Sequence, residues 1–268
     1  MRGLLPILTA LALLGAAMTV RATSGLDILD LRAGDSLNAG SKLALKGDYA
    51  GAMKYFDTAI RTQPDLWLGY YERARVLMLQ KKWAAALQDL TTTIRLQPAF
   101  FGASWVRAQL HLRMHNYAGC LRDLNALDSA TRQVQNAGEL GLVLNSRSWL
   151  RATCPDAAIR NGQLAVSDGK KACELTRGKN YSFTDTLAAA YAEAGDFDSA
   201  VRYEEQAIAL HKSEATETVK PKDNSGAARK NAEKSNAENA RAAHKALEGY
   251  LSRLQLYKQH RKYRDDPG

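Results

Sequence analysis

The sequence predicts an all-α solenoid of about five antiparallel helix pairs, closed by a C-terminal capping helix. Three observations predict it. The composition is rich in Ala, Leu, Lys, Arg and Glu, with six prolines in 268 residues, which favours helices. Small, aromatic and large apolar residues recur at one fixed interval through the middle of the chain. The C-terminal third turns polar and then carries a single apolar stripe at helical spacing.

The chain opens with MRGLLPILTALALLGAAMTVRATSG. Arg2 gives a short positive start, Leu4 to Val20 is apolar and uncharged, and Val20 and Ala22 are small residues suited to cleavage after Ala22. This is the pattern of a secretory signal peptide over 1–22. An uncleaved membrane anchor is the alternative, since the run is near the lower limit of a span. Cleavage removes Arg2 and Arg21 and no acid, so the formal net charge falls from +9 to +7. An exported chain, in a bacterial periplasm or cell envelope, is the expectation, and there disulfides persist.

The repeat occupies 23–212. Small residues stand at Gly40, Ala74 and Ala108, aromatics at Tyr49, Trp83 and Tyr117. Small residues return at Ala52, Ala86 and Cys120, and large apolar ones at Phe56, Leu90 and Leu124. Every step is 34 residues, and Pro64 and Pro98 close the first two units at the same spacing. Each column has a physical reason. The small residues let two antiparallel helices approach, the aromatic and large residues fill the space between them, and proline stops the second helix. A fourth unit has a first helix in ELGLVLNSRSWLRA, a long turn in TCPDAAIRNG and a second helix in QLAVSDGKKACELT. A fifth runs over 181–212, with Leu187, Ala188, Tyr191, Phe197, Ala200 and Ala207 in the matching places and Lys212 where the proline would be.

Residues 213–226 read as a polar linker. Residues 227–268 read as an alanine-rich helix and basic tail. In the helix, Leu247, Tyr250, Leu251, Leu254 and Tyr257 form a stripe able to cover the last pair.

The period and its columns closely resemble the tetratricopeptide repeat (TPR). The ATCPD…ACEL segment and the C-terminal ending resemble those of bacterial exported TPR proteins. The resemblance implies a non-catalytic scaffold or adaptor that binds a protein or peptide in a concave groove lined by first helices. Mapping repeat positions onto that groove gives Asn38, Ser41, Tyr71, Arg75, Met78, Trp105, Gln109, Arg113 and Asp185. Tyr71 and Trp105 share a column, and aromatic and Arg residues are common binding anchors. The carboxylate clamp of chaperone-type TPR domains needs Lys and Asn in columns that here hold Leu37, Ser41, Tyr71 and Arg75, so that clamp is not supported.

No nucleophile elbow, Walker loop, HExxH or dinucleotide fingerprint is present, so no catalytic residue and no cofactor is assigned. The scattered acids read mostly as exposed helix positions. His111 and His115, four apart, suit one helix face and raise a metal-binding or enzyme-accessory alternative, without a third ligand. Cys120 falls on an inward repeat position as a small packed residue. Cys154 and Cys173 flank the long turn of unit four, and a disulfide between them is the expectation. Two packed thiols, or a metal or redox site, are the alternatives. The basic residues Arg253, Lys258, Arg261, Lys262 and Arg264 leave open a binder of anionic envelope polymer or lipid. Export argues against a nucleic-acid partner, and a membrane enters only if 1–22 stays attached.

Overall fold

The structure, a computed structural model, describes the backbone of residues 25–218 and 227–265, and within these the side chains of 32–214 and 241–265. The leader expected over 1–22 lies outside the described residues. The described residues form eleven helices: α1 (Gly25–Leu45), α2 (Tyr49–Thr62), α3 (Trp67–Leu79), α4 (Trp83–Leu96), α5 (Phe101–Arg113), α6 (Tyr117–Gln133), α7 (Ala137–Thr153), α8 (Gly162–Leu175), α9 (Tyr181–Ala194), α10 (Phe197–Thr218) and α11 (Ala227–Lys258). The first ten are the five pairs, and α11 is the closing helix. The chain divides into two compact units that part after Asp123, within α6.

In the N-terminal unit, pair one closes where the period demands small residues. A Cβ on Gly40 would stand 2.6 Å from the Phe56 ring and 3.2 Å from the Ala52 carbonyl, so only glycine fits against α2 there. Leu37, Ala52, Phe56, Ala59 and Val76 are buried together. Ala74, Leu77, Met78, Ala86, Leu90 and Leu110 form the next core, with Trp83 and Tyr71 packed on its edge. Asp48 caps α2 by accepting the Gly51 amide at 2.9 Å. Helices α2 and α4 end at Thr62 and Leu96, two residues before Pro64 and Pro98.

The turn inside a pair repeats as faithfully as the core. Gly47, Lys81, His115 and Gly195 occupy one repeat position, and all four are left-handed, with φ of 82°, 59°, 57° and 90°. Glycine accepts that conformation freely, whereas Lys81 and His115 hold it under strain.

In the C-terminal unit, α7 to α10 bury Ala152, Ala165, Ala188, Ala190 and Ala200 in one cluster, which Tyr257 of α11 completes. Asn136, Asn161 and Asn180 cap α7, α8 and α9. The expected long turn of pair four spans 154–161. Helix α11 runs parallel to α9: Tyr250 meets Tyr181 and Arg253 meets Asp185, while Lys262, just past its end, meets Glu193. It runs antiparallel to α10, with His211 beside Ala243 and Glu205 beside Lys258. It therefore stands where the first helix of a sixth pair would stand.

Two expectations need correction. Helix α10 continues to Thr218, so 213–218 is helix rather than linker. Lys212 in place of the closing proline removes the stop, and the next proline is Pro221. Within the α11 stripe, Tyr250 and Tyr257 are buried, but Leu251 is 43% exposed.

Candidate functional site

A ladder of arginines holds the pairs together. Arg73 forks onto Asp89, Nε and Nη2 each donating at 2.8 Å, while its Nη1 donates to Asp57 of the preceding pair at 2.7 Å. Arg107 repeats this with Asp123 at 2.9 and 2.6 Å, and with Thr91 at 3.3 Å. Arg147 repeats it with Asp168 at 2.8 and 2.7 Å, and with Asn125 at 3.0 Å. The planar guanidinium supplies both directions at once, which an ammonium cannot do. The three aspartates are buried, at 5%, 3% and 7% exposure, contrary to the expectation of exposed acids. Their signal was in the sequence: Asp57, Thr91 and Asn125, and likewise Arg73 and Arg107, and Asp89 and Asp123, step by 34 residues.

The groove residues fall into three groups. In the N-terminal unit, Asn38 is exposed, and Ser41, Tyr71, Arg75, Trp105, Gln109 and Arg113 are half-buried. Tyr71 stands edge-on to Phe100 at 4.9 Å, and Trp105 stacks on Phe101 at 5.6 Å. Arg75 lies over the Tyr71 ring at 5.9 Å and is fixed by Glu72 at 2.8 Å. Burial raises the Tyr71 phenol pKa, so it stays a donor at neutral pH. Ser41, Arg75 and Gln109 share a column, and the Gln109 amide oxygen is shielded from water with no partner among the described residues. Arg113 is drawn over the Trp83 ring at 5.3 Å. Met78 forms the second group: only 8% exposed, it packs into the core with Leu77 and Leu110 and presents little surface.

Asp185 is the third group. Only 6% exposed, it is covered by Arg253 of α11, whose Nε donates to Oδ1 at 2.7 Å. Arg253 also lies 3.6 Å from Glu204 Oε1 and over the rings of Tyr250, Tyr263 and Trp149 at 5.0, 5.4 and 5.6 Å. Trp149 belongs to the column of Arg75 and Gln109, and was missed because α6 and α7 are longer than the helices before them and shift the count from 34 to 40. Its indole donates to Asp265 at 3.0 Å, and the Asp265 amide donates to the Thr153 carbonyl at 3.0 Å. Lys262 and Arg264 both reach Glu193. Much of the basic tail is thus engaged by the chain itself. Glu204 is fully buried, and burial, then the charge of Asp185, raises its pKa well above the carboxylate range.

The cysteines do not meet. All three are unbridged. Cys154 caps the end of α7 beside the turn, whereas Cys173 lies eleven residues into α8, among Leu144, Ala172 and Phe183. Antiparallel helices pair residues equidistant from the turn, and eleven residues of helix rise roughly 16 Å. A disulfide tolerates at most about 7 Å between Cα atoms. Burial raises both thiol pKa values, that of Cys173 to about 11. His111 and His115 do not share a helix face either: α5 ends at Arg113, and His115 is the left-handed turn residue. His111 is buried against Asn116 at 3.1 Å, and burial lowers its pKa. Among the described residues no group of three or more His, Cys, Asp or Glu is placed to hold a metal.

No family model matches the chain, and no curated protein matches it. Solved structures do. A tetratricopeptide repeat protein from Parabacteroides merdae is 17% identical with a TM-score of 0.57, over 85% of this chain and 99% of that one. MamA from Desulfovibrio magneticus RS-1 is 17% identical with a TM-score of 0.54, over 68% and 96%. YrrB, described as a TPR protein with an unusual peptide-binding site, is 12% identical with a TM-score of 0.54, over 70% and 93%. The period, the paired helices, the shared turn position and these likenesses together make the chain a tetratricopeptide-repeat protein in its fold.

Proposed function

We propose that this chain is a non-catalytic interaction scaffold that binds a peptide or helix of a partner protein on the first helices of its N-terminal unit. The observation that carries the reading is the row of held but half-open groups on successive first helices. Tyr71 and Trp105 present aromatic surface from one column, and Arg75 presents a charged donor from the next. Because the rings are already braced by Phe100 and Phe101, little order is lost on the protein's side when a ligand arrives. The peptide-binding site named for YrrB supports the same reading by fold analogy.

The test is a displayed-peptide selection against the wild type and against Tyr71→Ala with Trp105→Ala. A peptide family enriched by the wild type and lost in the double variant is expected. Equal enrichment by both would sink the assignment of this surface. We further propose an exported chain in the bacterial envelope, on the strength of the 1–22 sequence alone; an intact Met1 on mass spectrometry of the protein from its host would rule out cleavage.

A further inference from the structure

The C-terminal unit carries a second constellation that the N-terminal surface does not explain. Trp149 of α7, Asp185 of α9 and Glu204 of α10 converge on one guanidinium, that of Arg253. All three belong to the repeat array, so the pocket walls are set by helix pairs four and five. The occupant comes from α11 and the tail after it. Trp149 and Asp185 stand at first-helix positions that, in the N-terminal unit, carry Gln109 and Trp105.

We propose that this pocket is a recognition site for an arginine-bearing, aromatic helix of a partner protein, held closed in cis by the chain's own α11 and tail. Charge complementarity sets the chemistry of the occupant. The array side offers Asp185, Glu193, Glu204 and Glu205, and the segment answers with Arg253, Lys258, Lys262 and Arg264. Trp149 supplies an aromatic wall for the guanidinium. The closure is polar where a permanent core is apolar: Asp185, Glu204 and Arg253 are all buried. Two buried carboxyl groups share one arginine, Glu204 bonding to Asp185 through the proton it keeps, and among the described residues the Tyr257 hydroxyl has no hydrogen-bond partner. A buried charge cluster of this kind adds little net stability while specifying its partner closely. A competing helix that brings its own arginine replaces the cluster in kind.

The test uses the full-length chain and a fluorescein-labelled peptide of residues 241–265, read by anisotropy. In Arg253→Ala the cis occupant is weakened, and the labelled peptide binds saturably, at least roughly tenfold tighter than to the wild type, where the chain's own helix competes. Replacing the arginine at 253 of the peptide by alanine lowers its affinity on the order of a hundredfold. Adding Trp149→Ala to the Arg253→Ala chain abolishes binding. Circular dichroism and gel filtration establish that the variants are folded monomers. If Arg253→Ala does not fold, Arg253→Lys, which keeps the charge and loses the fork, takes its place with a smaller gap over the wild type. A folded variant chain that leaves the peptide unbound, or that binds the arginine-free peptide equally well, overturns the proposal. So does a chain that only exchanges α11 with a second copy.

Discussion

Arg253 and Asp185 are 68 residues apart in sequence and joined by a 2.7 Å hydrogen bond, with both side chains about nine-tenths buried. The pair fastens α11 to α9, and Glu204 of α10 completes it at 3.6 Å. Removing one member of a buried pair leaves the other uncompensated, at about 3–5 kcal/mol. Asp185→Ala is therefore expected to lower stability in urea unfolding, by less than that amount because Glu204 takes over part of the guanidinium's charge. The double change Asp185→Ala with Arg253→Met should recover part of it. An Asp185→Ala chain as stable as the wild type would show that the pair is solvated in solution.

Glu204 makes the same region sensitive to pH. Its folded pKa lies well above the ordinary value of 4.5, first because of burial and then because of Asp185, with Arg253 opposing. The folded state then holds a proton that the unfolded chain releases near 4.5, so the Glu204 contribution is full below that pH. It is lost as pH rises toward the folded pKa. Asp185, Arg253, Tyr250 and Tyr257 face the same site, and the pKa of Asp185 is also raised by its burial. Unfolding free energies of the wild type and Glu204→Gln should converge at low pH and part above 4.5, the variant losing less as pH rises. Parallel curves would show that Glu204 titrates normally.

The arginine ladder predicts a substitution that charge alone does not rescue. Arg107→Ala strands Asp123, which is 3% exposed, and should cost about 3 kcal/mol. Arg107→Lys keeps the charge but cannot fork, so it should recover less than half of the loss. Full recovery of the melting temperature by lysine would mean that the bidentate geometry contributes nothing.

Three titratable thiols are expected in denaturant without reductant, since none of the cysteines is bridged. In the folded protein Cys154 and Cys173 should react slowly with a disulfide reagent at neutral pH, because burial keeps both protonated. One thiol instead of three would mean that two of the cysteines are bonded, and a Cys154–Cys173 bond would require pair four to be rebuilt.

Lys81 offers a stabilising change. It is exposed and left-handed at a position where Gly47 and Gly195 do the same work without strain. Lys81→Gly should raise stability by about 0.5–1 kcal/mol, the relief of strain exceeding the added freedom of the unfolded chain. A fall in melting temperature would indicate that the lysine stem is packing against the turn.

The five pairs and their order were legible because a column of small residues every 34 positions reports helix approach directly. Features that depend on two columns at once were harder to read. Asp89 looks like any helix-surface acid until Arg73 is placed beside it, although both recur with the period. Cys154 and Cys173 looked adjacent because they bracket a turn, yet one is at the turn and the other at the far end of its helix. Asp185 sat in the right column for a groove, but nothing nearby in sequence announces that Arg253 will cover it. That arginine hides within an apolar stripe, between Tyr250 and Tyr257. Glu204 stands where the earlier pairs place Phe56, Leu90 and Leu124, and only the approach of α11 makes an acid tenable there.

The ladder also decides which repeats are interchangeable. A copy of pair two or pair three, inserted after either, would bring its own arginine and find an acceptor waiting in Thr91 or Asn125. The position that hands over to pair five holds Lys170, which offers no acceptor, and the first helix that follows has Leu187 in place of the arginine. Gene duplication can therefore lengthen this array from within, one rung at a time, but not beyond its fourth pair.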